Sequence, residues 1–147
     1  MKIDETDRAI IRHLRDGRKP FKDIAKDLSL AVNTVRSRTK KLIQEGILYV
    51  AGLIDPKKVH GEQVIIVGVR LRTMNGAKKG REFSKLKGVV SVCAVTGRFD
   101  LILIVSLNDS FTLSDFIRQE MDSVKDVLSA ETFVVYESIN MQIPYLH

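Results

Sequence analysis

Residues 31–48 read AVNTVRSRTKKLIQEGIL, and their types and spacing suit recognition of a polyanion. Stepping about 100° per residue from Val35 places Val32, Thr39, Leu42 and Ile43 on its side of a helix. Asn33, Ser37, Lys40 and Gln44 then point away, with Thr34, Arg36 and Lys41 beside them. Arg36, Arg38, Lys40 and Lys41 face a single acid, Glu45. A solvated helix surface ordinarily mixes both signs of charge. Here guanidinium and amide groups suit base edges, hydroxyls suit bases or phosphates, and lysines neutralise phosphates. A helix of this size fits the major groove of duplex DNA. The competing reading is an ordinary helical hairpin with a basic wet face.

The preceding residues must position that helix. Asp4 is placed to cap a first helix running to about Arg15, with Glu5 and Asp7 at its positive end. Ile10, Ile11 and Leu14 give it an apolar stripe, and Gly17 stops it. Pro20 opens a short second helix, about Phe21–Leu28, with Ile24, Ala25 and Leu28 inward. Small Ala25 allows close approach, and Ile24, Leu28, Leu30 and Val35 lock the crossing of a helix-turn-helix pair. Gly46 ends the third helix, ILYVAGLI (47–54) reads as a strand, and DPKKVHG as a loop or linker.

The pattern then changes. QVIIVGVRLR (63–72) reads as a strand and Ala77–Leu86 as a helix with Phe83 and Leu86 inward. VVSVCAVT and LILIVSL are strands joined by the turn GRFD at 97–100. NDS (108–110) caps a helix to about Val124, with Leu113, Phe116, Ile117 and Met121 on one face. AETFVVYES closes with a strand. The order β-α-β-β-α-β is the split βαβ, ferredoxin-like arrangement. The expected α+β organisation is therefore a three-helix (winged-helix-like) helix-turn-helix domain at 1–50, a strand/loop linker at 51–62, and a ferredoxin-like domain at 63–147. The apolar run Leu101–Leu107 lacks a polar face, so cover on both sides is expected, helices on one and a second subunit on the other. The run 47–54 is a further candidate for pairing with a second chain.

Charge follows the same division. Residues 1–50 carry 12 Lys/Arg against 7 Asp/Glu, and residues 51–147 carry 12 against 11, so the excess of +6 sits mainly in the first third. With 44% hydrophobic and 29% charged residues the chain is globular. Cys93 is the one cysteine, which excludes an internal disulfide, suits a reducing compartment, and is expected to pack as a small apolar group. His13, His60 and His147 are scattered without metal-ligand spacing, so no metal or cofactor is expected. No nucleophile elbow or phosphate loop appears, and no convergent acid, base or nucleophile supports catalysis. MKIDETDRAI lacks an apolar signal core and no apolar run approaches membrane-spanning length. A cytoplasmic, nucleoid-associated protein is the expectation.

Read end to end, the chain resembles the Lrp/AsnC (feast/famine) transcription regulators. IDETDRAIIRHLRDGRKPF is similar to their opening helix and its D-G-R. DIAKDLSLAVNTVRSRTKKLIQEGIL is similar to their helix-turn-helix, with Thr34-Val35, Arg38, Leu42 and Gly46-Ile47 in place. VTGRFDLILIV is similar to the Gly-x-aromatic-Asp turn of their effector domain. Three positions depart. Ala31 stands where Ser usually caps the recognition helix, Ser29 replaces a frequent turn glycine, and Thr39 replaces a usual aliphatic. An N-cap Ala costs on the order of 1 kcal/mol relative to Ser, leaving Asn33 or a DNA phosphate to serve the open amides.

The resemblance implies a regulator rather than an enzyme, with double-stranded DNA as partner. It also implies a homodimer assembling further, to an octamer or similar, and a small effector, often an amino acid, near residues 97–100. Gly97 and Asp100 then border that site. Chemically, Gly97 lets backbone amides approach an anion, Arg98 suits a carboxylate, and Asp100 accepts from an ammonium. Thr132 is a weaker candidate. The plain alternative makes Gly97 and Asp100 turn residues only. The DNA-binding set is Asn33, Thr34, Arg36, Ser37, Lys40, Lys41 and Gln44. An architectural DNA-wrapping protein without effector control is the alternative function.

Overall fold

Asp4 opens the chain's first helix through a capping box. Its carboxylate accepts the Asp7 amide at 2.8 Å, and the Asp7 carboxylate accepts the Asp4 amide at 3.1 Å. The structure is a computed structural model that describes residues 2–73 and 75–146. It divides into two compact units, Met1–Ala51 and Gly52–His147.

In the first unit, α1 (Glu5–His13), α2 (Phe21–Asp27) and α3 (Val32–Gln44) surround fully buried Ile10, Ile24 and Val35. Ala25 is buried too, as a close crossing of α2 and α3 requires. The α2–α3 turn carries Ser29 at φ +52°, a conformation in which glycine is free of the strain a serine meets. Gly46, at φ +66°, ends α3. The amides of Ile47 and Leu48 then both donate to the Leu42 carbonyl, at 2.9 and 3.1 Å. That return onto the helix corrects the expected strand 47–54. Only β1 (Leu53–Ile54) forms, paired antiparallel with β6 (Ile143–Pro144).

The second unit continues with a 3-10 turn at Pro56–Lys58, capped by Asp55, in place of the expected open loop. Then follow β2 (Gln63–Leu71), α4 (Gly76–Phe83), β3 (Val89–Ala94), β4 (Leu101–Leu107), α5 (Leu113–Asp115) and β5 (Val127–Val134). The antiparallel sheet has the order β3-β4-β2-β5, the ferredoxin-like arrangement. Ile65, Val67, Val69, Leu101, Leu103 and Val105 point to one face and form its core with Phe83, Phe111 and Phe116. The alternate residues, among them Ile66, Ile102 and Ile104, lie half-buried on the opposite face.

Three expectations about this unit are corrected. The cap after β4 is Thr112, in a capping box with Asp115, whereas Asn108 holds the turn before it through the Ser110 amide. After α5 the helix loosens to a π segment, Phe116–Glu120, and a 3-10 turn, Met121–Ser123, which leaves Ile117 exposed while Phe116 is buried. Cys93 is exposed, because its register opposite Ile102 turns it onto the uncovered sheet face. In the first unit Ile43, expected inward, is also exposed, since Leu42 beside it takes the buried position.

Candidate nucleic-acid interface and ligand turn

The inward residues of α3 are Val35, Thr39 and Leu42. Asn33, Arg36, Ser37, Lys40, Lys41 and Gln44 are exposed, and Thr34 is half-buried. The helix thus presents the seven proposed DNA-contacting residues across its accessible surface. Ser37 donates its hydroxyl to the Thr34 carbonyl at 3.1 Å and keeps lone pairs free to accept. Among the described residues Arg36, Lys40 and Lys41 make no ion pair. Ala31 caps nothing with its side chain, and Asn33 does not substitute for it.

Arg38 is the exception to the count of four outward cations. Its Nη1 donates to Asp4 Oδ2 at 2.7 Å and to Asp7 Oδ1 at 2.9 Å, tying α3 to the start of α1. Asp4 is held below the ordinary carboxylate range first by the Asp7 amide and then by Arg38, whose own pKa is raised by both acids. Asp4 was legible as the cap and Asp7 as an acid of the first turn; their joint grip on an arginine of α3 was not.

The turn after β3 places Gly97 at φ +126°, exposed and with open space around it. Arg98 donates to Glu131 on β5 at 2.7 Å and lies 5.6 Å from the Phe99 ring. The Asp100 carboxylate accepts the Leu71 amide at 2.7 Å, and its own amide donates to the Val69 carbonyl at 2.9 Å. Asp100 therefore fixes the end of β2 as well as bordering the turn.

Thr132 does not join these three. It pairs with Val67, whose side chain enters the helix-covered core, whereas neighbouring Glu131 pairs with Gly68 on the other face. Thr132 instead lines a cavity of about 320 Å³ with Val67, Phe116, Ile117, Met121 and Asp122. Sequence reasoning missed Glu131 as a neighbour of the turn and did not foresee what the turn's own aromatic, Phe99, packs against. Phe99 meets Phe133 edge to face at 6.2 Å between ring centroids. Among the described residues no group of His, Cys, Asp and Glu is placed to hold a metal, and no helix is long and apolar enough to cross a membrane. His147 lies outside the described residues.

A helix-turn-helix unit with a cationic third helix, followed by an α+β domain with a four-stranded antiparallel sheet, is the architecture of a DNA-binding transcriptional regulator. The comparisons agree. The profile of the AsnC-type helix-turn-helix domain matches residues 3–43, and that of the Lrp/AsnC ligand binding domain matches residues 64–144. An HTH-type transcriptional regulator of Pyrococcus abyssi is 32% identical over 137 residues, covering 92% of this chain and 87% of the relative. The chain belongs to the Lrp/AsnC family of transcriptional regulators. Its fold is similar to that of Escherichia coli AsnC, with a TM-score of 0.71 at 22% identity over 96% of this chain and 97% of that one. It is also similar to a Neisseria meningitidis transcriptional regulator solved in complex with L-methionine, with a TM-score of 0.71 at 25% identity over 95% and 94% of the two chains.

Proposed function

We propose that this regulator reads specific DNA sequences with α3 and answers to an amino-acid effector held at the turn 97–100. The carrying observation is the exposed set Asn33, Arg36, Ser37, Lys40, Lys41 and Gln44 on one helix whose apolar side is buried. In this reading Asn33, Arg36 and Gln44 address base edges, Thr34 and Ser37 bases or phosphates, and Lys40 and Lys41 phosphates. Two copies would read half-sites about one helical turn apart. Dimerisation is supported by the uncovered sheet face, where Ile66, Ile102 and Ile104 lie beside Phe99 and the exposed ring of Phe133.

The L-methionine complex of the Neisseria meningitidis neighbour supports an amino-acid effector. Arg98 and the free oxygen of Asp100 supply groups of opposite charge beside open Gly97, as a zwitterion requires. Thermal-shift screening of the amino acids against the native protein, Arg98→Ala and Asp100→Asn tests this. A ligand that stabilises all three equally binds elsewhere.

Selection from a randomised duplex library tests the DNA reading. The native protein should return a two-fold consensus, and Arg36→Ala or Asn33→Ala should relax it at defined positions. A pool without consensus would instead favour an architectural protein, and an unchanged consensus would remove those two residues from base readout.

A further inference from the structure

The second unit looks nearly neutral in total, but its charge is segregated. Residues 70–87, RLRTMNGAKKGREFSKLK, hold seven Lys/Arg and one Asp/Glu, whereas the rest of 51–147 holds five against ten. The structure gathers that segment on one helix and its flanks. Lys78 and Arg81 lie one turn apart on α4 and Lys85 just beyond its end, all three exposed. Exposed Arg72 and Lys125 flank α4 at Lys79, since the Arg72 amide donates to the Asp126 carbonyl and the Lys125 carbonyl accepts from Lys79.

Glu82 and Asp126, the acids beside Lys79, are already engaged. The buried ammonium of Lys79 lies 2.9 Å from Glu82 and 3.4 Å from Asp126. Among the described residues, Lys78, Arg81 and Lys85 make no ion pair. Gly76 and Gly80 seat α4 close upon Ala94, Val92 and Leu101, so the cations project from a firmly packed base. Mutual repulsion among them is a standing cost that an anionic partner would relieve.

We infer that the α4 face is a second polyanion-binding surface that takes the phosphate backbone of DNA lying beyond the half-sites read by α3. This rests on the DNA-binding reading above, which supplies a duplex already held by the protein. Three cations without paired acids match phosphates and offer no base-reading amides, so the surface adds affinity and salt dependence without sequence preference.

The test uses the full chain carrying Lys78→Gln, Arg81→Gln and Lys85→Gln together. Binding to a minimal duplex that spans only the half-sites is compared with binding to a duplex several turns longer, each across a salt series. The long duplex should lose affinity, its log–log salt slope falling by roughly two to three, while the minimal duplex is nearly unchanged. Equal losses on both duplexes, or none on either, overturn the inference. So does dissociation of the native assembly in sedimentation, which would make α4 a subunit contact. Loss of binding to heparin alone would assign the surface to another polyanion. A parallel Lys40→Gln variant separates the two readings. If it leaves both duplexes unaffected the α3 assignment fails, whatever the α4 triple variant does.

Discussion

Arg38 of the recognition helix and Asp7 of the first helix form an ion pair of 2.9 Å in which the Asp7 side chain is only 6% exposed. A cation that looks available in sequence is thus committed to holding the helix-turn-helix together. Arg38→Gln leaves a buried carboxylate facing no charge, at a cost of about 1–3 kcal/mol. The low end applies here, because the Asp4 amide still serves the other oxygen. Chemical denaturation should show the loss, while the salt slope of DNA binding by the folded variant stays unchanged.

The same cluster sets an acid limit. Asp4 is held below its ordinary value of 3.8, first by the Asp7 amide and then by Arg38. A carboxylate depressed on folding stabilises fully above its unfolded pKa and loses that contribution as pH falls through the depressed value. Stability of the native protein should therefore decline below pH 3.8. Asp4→Asn should flatten part of that acid limb, the two proteins converging at low pH in urea titrations followed by circular dichroism.

Lys40 and Lys41 are exposed and make no ion pair among the described residues. Replacing either with Gln should weaken binding to all sequences alike and lower the salt slope by about one. Filter binding or fluorescence anisotropy at four or more salt concentrations measures it. An unaltered slope for both variants would move the phosphate-facing side of α3 elsewhere.

Thr39 is buried in the first unit, and its Oγ1 is without a hydrogen-bond partner among the described residues. A desolvated hydroxyl with nothing to bond costs about 1–3 kcal/mol. Thr39→Val keeps the shape and removes the orphan, so stability should rise by about 1 kcal/mol or more. A neutral or negative change in the denaturation midpoint would show that the hydroxyl finds water.

Periodicity located the first four helices and the four strands of the main sheet, because inward residues such as Ile10, Val35, Phe83 and Leu103 repeat at the period of their helix or strand. It also placed Asn33, Lys40 and Gln44 outward on α3. It failed where a choice depended on tertiary geometry. Ile47 looked like strand, but its amide is spent on Leu42. Cys93 looked like core, but strand register decides which sheet face it takes. Arg38 was counted among the cations of the wet face, and nothing local announces partners more than thirty residues earlier. Thr132 was grouped with the turn, and only the pairing with Val67 reveals the opposite face. The basic segment 70–87 was legible as a run of charge but was averaged away by counting the whole of 51–147.

Phe99 lies over Gly68 in the middle of β2, with ring carbons 2.7 Å from where a Cβ would stand. The loop bearing Arg98 and Asp100 is thereby pegged into the centre of the uncovered sheet surface, like a bolt in a socket that any larger residue would plug. An effector held by that loop, as proposed above, would act on the same sheet face against which the proposed second copy would rest. On that proposal, a ligand that tightens or loosens assembly should itself be held more or less firmly by the assembled form, by the same factor.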